Sequence, residues 1–250
     1  MTLGGFPFQG PESKRQDVLT PFTFSARAPV KKSAPSTFHI YLLGRFEITR
    51  DGGQLGADEW PRRKAAGLVK YLAIQKRLVK DQAIDLFWPD SSVESGANNL
   101  YRTLHELRQT LNKSLGSDAA ELIFEFEDGI LSLHDSVWVD VNEFERLCSA
   151  PGKSPDERIE LLEKALALYE GDLLPDDLYA EWTLTLRESL RRQHREASLA
   201  LAMLHRNAHQ YNRIFPLLTP LLAYDAADEP VHRELMRAYA LAGRRHDALR

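Results

Sequence analysis

Cysteine is almost absent from this chain: Cys148 is the single one in 250 residues. One thiol cannot form an internal disulfide, and it reads as a packed or idle group. Long apolar runs are missing too. The longest, Ile214 to Tyr224, is broken by Pro216, Thr219 and Pro220 and falls far short of the ~20 residues of a membrane span. No apolar stretch of roughly 7–15 residues follows a basic start, so a secretory signal has no support and the cytoplasm is the expected compartment. Gly-Xaa-Ser-Xaa-Gly, a Cys/His pairing and a carboxylate pair in distinct settings are all lacking. No enzyme activity, cofactor or metal site is therefore expected. Finally, no Lys or Arg occurs from Ser114 to Glu145, where nine Asp and Glu stand.

What is present suffices for two cores of ~100 residues each, given 43% hydrophobic residues. Residues 1–36 stand apart. Five prolines and three glycines lie among isolated aromatics with no sustained period, a stretch that reads as a disordered tail in which Lys31-Lys32 is solvated. Beyond it, Phe38 to Leu43 and Arg45 to Thr49 read as strands closed by the turn Asp51-Gly52-Gly53. Arg62 to Gln75 places Ala66, Val69, Leu72 and Ala73 on one side of a helix, with Asp58 and Pro61 before it. A second short helix runs from Asp81 to Trp88 and stops at Pro89. Ser91 or Ser92 can cap the next.

That next helix, Ala97 to Lys113, is the most informative. Leu100, Leu104, Leu107 and Leu111 recur at helical spacing, and Asn98, Arg102, His105 and Gln109 fall opposite them. A solvated face is usually Glu and Lys; Arg with Asn or Gln can instead bond guanine and adenine edges bidentately. After it, Leu122, Phe124 and Phe126 alternate with Ile123, Glu125 and Glu127, and Asp128-Gly129 marks a turn before Ile130 to Leu133. Strand pair, three helices and hairpin is the order of a winged helix-turn-helix module with an added N-terminal sheet.

These residues resemble a known family. Leu43-Gly44-Arg45-Phe46-Glu47, Trp60-Pro61-Arg62-Arg63-Lys64-Ala65, Leu86-Phe87-Trp88-Pro89-Asp90 and Asn98-Asn99-Leu100 through Leu107-Arg108 look like the DNA-binding half of SARP-type bacterial transcriptional activators. Val139-Asp140-Val141 with Phe144, Tyr169-Glu170-Gly171-Asp172-Leu173-Leu174, Trp182 with Arg187, and Glu229 to His232 with Leu235-Met236 look like their bacterial transcriptional activator domain. The resemblance implies a mostly α protein with small β-sheets: a winged helix over residues 37–136, then a tetratricopeptide-like helical domain over 137–250. It implies sequence-specific binding to double-stranded promoter DNA, with Arg62, Arg63 and Lys64 on phosphate and Asn98, Asn99, Arg102, His105, Arg108 and Gln109 on the reading helix. It also implies that the helical half serves self-association, or contact with RNA polymerase or a further regulatory domain.

The second half agrees with a helical reading. Ser154-Pro155-Asp156-Glu157 is a capping box that opens a helix to Tyr169, with Gly171 beyond its end. A long helix follows from Asp177 to about Asn207. A weak repeat at an offset of 34 pairs Leu201 with Leu235 and His205 with Tyr239, and Pro216 and Pro220 should distort its first copy. The last unit has one complete helix, Glu229 to Ala242, and only the opening of another from His246. The natural chain is therefore expected to continue past Arg250, and the Leu235, Met236, Tyr239 face to want cover.

Two motifs are set aside. Gly152-Lys153-Ser154 has the ending of a P-loop, but Leu147 stands where that motif needs Gly. His205 and His209 have the spacing of a metal pair but no third ligand. Charge leaves a choice. Ser36 to Lys113 carries twelve Lys and Arg against nine Asp and Glu, whereas the hairpin tip, with Glu125, Glu127 and Asp128, is acidic where a phosphate-touching wing should be basic. The main reading is DNA binding through the helix with little wing contact. The alternative is a signalling or scaffold protein in which winged module and repeats are both protein-interaction surfaces.

Overall fold

A computed structural model describes Met1, residues 38–244 and residues 246–247. The tail expected over residues 1–36 and most of the helix expected to open at His246 lie outside the described residues.

β1 (His39–Tyr41), β2 (Glu47–Arg50) and β3 (Gly53–Gly56) form an antiparallel meander, with Ile40 opposite Ile48 and Ile48 opposite Leu55. Those three side chains are fully buried, as period-two alternation requires for one covered face. The Asp51-Gly52 turn forms with both residues at positive φ. β3 was not expected, because Gly53-Gln54-Leu55-Gly56 has neither β-branched nor aromatic residues.

α1 (Arg63–Gln75) buries Ala66, Val69, Leu72 and Ala73 as its spacing predicts. β4 (Arg77–Val79) leads into α2 (Lys80–Phe87), and α3 (Val93–Leu115) follows, with Ser92 Oγ accepting from the Ser95 amide. Helix α3 is longer at both ends than the stretch that announced it. Leu100, Leu104, Leu107 and Leu111 are buried. A Cβ on Gly96 would lie 2.4 Å from Ile84 Cγ2, so glycine sets how closely α3 crosses α2.

α4 (Ala119–Ile123) precedes the hairpin of β5 (Phe124–Glu127) and β6 (Ile130–Leu133). Here the strand reading needs correction. Leu122 and Ile123 belong to the helix, where Ile123 is buried and Leu122 exposed, so the alternation begins only at Phe124. β4 joins the hairpin in a sheet of order β4-β6-β5, antiparallel throughout. β7 (Trp138–Val139) then returns to pair parallel with β1, completing the order β3-β2-β1-β7.

The rest is helical: α5 (Asp140–Ser149), α6 (Pro155–Leu168), α7 (Glu181–Asn207), α8 (Ile214–Leu218) and α9 (Glu229–Leu241). Ser154 Oγ accepts from the Glu157 amide at 3.2 Å, but the Glu157 carboxylate takes the Lys153 amide at 2.6 Å, not that of Ser154. The long helix starts later than expected because Pro175–Asp177 forms a separate 3-10 turn. Pro216 sits in the first turn of the five-residue α8, where a missing N–H is tolerated, and a 3-10 turn over Thr219–Ala223 follows. This is the distortion expected of the first repeat copy. The α9 face finds more cover than expected: Leu235 is buried and Tyr239 stacks on Phe215 at 4.3 Å, while Met236 is exposed. Among the described residues no helix is long and apolar enough to cross a membrane.

Candidate nucleic-acid interface

Because α3 buries its leucines against α1 and α2, the opposite row must face outward, and Asn98, Arg102, His105 and Gln109 are all exposed. The Gln109 amide nitrogen lies 3.0 Å from His105 Nε2. Arg102 has no hydrogen bond or ion pair among the described residues. Asn99 is half-buried, and its carbonyl accepts from Thr103 Oγ1. Arg108 is exposed but lays its guanidinium 5.3 Å from the Phe124 ring centre, which draws it toward the hairpin.

The Arg62-Arg63-Lys64 cluster does not act as one unit. Arg62 Nε lies 3.0 Å from Glu106 on α3. Lys64 Nζ donates to the Phe87 carbonyl at 2.5 Å, closing the end of α2, and sits 5.0 Å from the Trp88 ring centre. Arg63 alone is exposed without such a partner among the described residues.

The acidic wing is anchored to α3. Tyr101 meets Phe126 edge to face at 6.1 Å, and Lys80 Nζ lies 5.3 Å from the Tyr101 ring centre. The Lys80 amide donates to the Gly129 carbonyl at 2.7 Å, which sets a lysine beside the turn that carries Glu127 and Asp128. Sequence reading missed Lys80 and Tyr101. The one belongs to this surface only through the β4–β6 pairing, and the other looks like any aromatic between buried leucines.

Behind α3, residues of both halves build a joint between them. Gly44, at φ +88°, lies against the backbone of Glu170 and Gly171. Its amide donates to the Asp172 carbonyl at 2.9 Å, and the Leu174 amide donates to the Leu42 carbonyl at 2.8 Å. Asp140 Oδ2 accepts from the Leu42 and Leu43 amides at 2.7 and 2.8 Å, and its Oδ1 from the Val141 amide. Burial pushes the Asp140 carboxyl up to about 6, against the pull of those amides and of Arg45. Lys70 Nζ, nearly buried, meets Asp177 at 2.5 Å, and Tyr71 packs edge to face on Trp182. Arg187, 4% exposed, donates to the carbonyls of Leu173, Leu174, Leu178 and Asp177 and to Thr183 Oγ1. Leu174 holds a left-handed backbone at φ 46°, a strain that persists only where surrounding bonds over-determine it.

The two motifs set aside take structural roles. Ser154 caps α6, and buried His205 lies 3.0 Å from Gln210 Oε1 while His209 lies 2.8 Å from the Tyr211 hydroxyl. Burial raises the Cys148 thiol to about 11.

Residues 139–250 match the family model of the bacterial transcriptional activator domain. Among solved structures, Mycobacterium tuberculosis EmbR, determined in complex with a low-affinity phosphopeptide, is similar over 86% of this chain and 57% of that chain, at a TM-score of 0.66 and 18% identity. The chain thus spans little more than half the length of EmbR, and the likeness is one of fold. No curated protein matches the chain. The C-terminal half thus matches the bacterial transcriptional activator domain, and the chain as a whole shares the fold of EmbR.

Proposed function

We propose that this chain binds promoter DNA sequence-specifically, as a regulator that activates transcription and does no chemistry of its own. The observation that carries this reading is the outward row of Asn98, Arg102, His105 and Gln109 on a helix whose other face is packed. In a major groove, Arg102 suits guanine O6 and N7, and Asn98 or Gln109 suits adenine N6 and N7. Asn99 and Arg108 flank the row, and Arg63 with the helix N-termini supplies phosphate contacts that set register. Arg62 and Lys64 join them only by exchanging their present partners. Residues 37–136 are the DNA-binding part and 137–250 the part that contacts a second copy, polymerase or another regulatory domain in the cytoplasm. Selection of sites from random DNA, followed by titration across salt concentrations, tests this. A single enriched motif and a steep fall of affinity with salt are expected.

The acidic hairpin favours a second reading, in which the winged module contacts protein. No enriched motif, together with salt-independent capture of a protein partner, would establish it.

A further inference from the structure

Between α7, the 3-10 turn at Thr219–Ala223 and the start of α9 lies a cavity of about 430 Å³, within the roughly 300–1,000 Å³ of small-molecule sites. Its walls are aromatic and carry three arginines, Arg191, Arg192 and Arg195, against three carboxylates, Asp225, Asp228 and Glu229. Tyr169 and His194 stack with ring centres 4.2 Å apart and planes 19° from parallel, and Tyr224 lines the cavity while largely exposed. Arg191 holds Asp172 through two nitrogens and Arg195 holds Asp228 likewise, so each of these cations is already neutralised. Arg192 is exposed and has no hydrogen bond or ion pair among the described residues. Burial lowers the His194 pKa, which leaves the ring neutral near pH 7 with one donor and one acceptor nitrogen. Neither nitrogen has a partner among the described residues. The carboxylates at the rim are occupied: Asp225 accepts from the Ala227 amide and Glu229 faces Arg233.

We propose that this cavity is a binding site for a planar aromatic compound carrying one acidic group. The ring lies on the Tyr169–His194 pair and Tyr224, a polar edge atom bonds His194, and the acid meets Arg192. One free cation beside fixed carboxylates favours one negative charge over two. The site is built from residues 169–230 alone and does not depend on α3 reading DNA.

Isothermal titration of the full chain, without DNA, with 2-naphthoate, 2-naphthalenemethanol and 2-naphthylmethylamine tests it. The acid should bind about tenfold more tightly than the alcohol, and the amine should give no heat. Arg192→Gln should erase that preference at an unchanged melting temperature. Tyr224→Ala should weaken acid and alcohol alike, about fivefold, and Tyr179→Ala, an exposed aromatic outside the cavity, should change neither. Failure of naphthoate to bind, equal affinity for all three probes, or an Arg192→Gln protein with the full preference would overturn the proposal.

Discussion

Gly44 and Gly171 touch backbone to backbone: a Cβ on Gly44 would lie 2.8 Å from the Gly171 nitrogen, and one on Gly171 would lie 3.0 Å from Gly44 Cα. Gly44→Ala adds a methyl group both to this contact and to a left-handed backbone, and should cost on the order of 2–4 kcal/mol. Gly171→Ala, without the positive φ, should cost about 1–3 kcal/mol. Urea denaturation measures both; a Gly44→Ala protein as stable as the parent would mean that the joint is loose in solution.

Arg102 lies in the middle of the outward row and has no hydrogen bond or ion pair among the described residues. Arg102→Ala should cost about 1–3 kcal/mol on the selected site and clearly less on random DNA. Equal losses on both would move Arg102 from base reading to phosphate contact.

Arg63 and Lys64 should separate. Arg63→Ala should weaken specific and random binding alike and flatten the salt slope by about one, with melting unchanged. Lys64→Ala removes the bond to the Phe87 carbonyl and should lower the melting temperature, costing about 1 kcal/mol. If Lys64→Ala flattens the salt slope while Arg63→Ala does not, the roles are reversed.

Replacing Glu125, Glu127 and Asp128 by Gln and Asn should leave DNA affinity unchanged or raise it, chiefly through faster association at low salt. Stopped-flow kinetics on the selected site gives the answer. Weaker binding by a folded triple variant would show carboxylates bonded to base amino groups, or a protein-facing wing.

The Asp140 carboxyl, ordinarily near 3.8, is raised to about 6 by burial. A raised carboxyl binds its proton more tightly in the native state than in the unfolded chain. Its contribution to stability is therefore greatest below about pH 4, declines as pH climbs toward 6, and is level above that. The stability advantage of the parent over Asp140→Asn should shrink by on the order of 2–3 kcal/mol between pH 4 and 7. Denaturant titrations at several pH values test this, and an advantage that grows with pH would mean that the amide donors outweigh burial.

Long periodic helices are legible in the sequence alone. α1, α3 and α6 lie within a few residues of where leucine spacing and caps put them, because those signals are local. β3, β4 and β7 are not, since strands of two to four residues are specified by distant partners such as His39 for Trp138 and Leu131 for Leu78. The same divide runs through the candidate site. The outward row on α3 follows from period alone, whereas the engagement of Arg62 by Glu106 and of Lys64 by the Phe87 carbonyl depends on how helices cross. The Leu43–Gly44 and Glu170–Leu174 motifs were visible as a family resemblance; that they meet one another was not.

The bridge between Leu43 and Leu173 bears on helical phase along the DNA. A flexible tether would let the C-terminal half swing to any side of a bound duplex; a backbone bridge, reinforced by Asp140 and Arg187, sets one azimuth. On the DNA-binding reading, the face of the double helix that carries the C-terminal half is then dictated by where the operator begins. An insertion of about 5 bp between operator and promoter, half of a 10–10.5 bp turn, would carry that half to the far side. A full turn would bring it back.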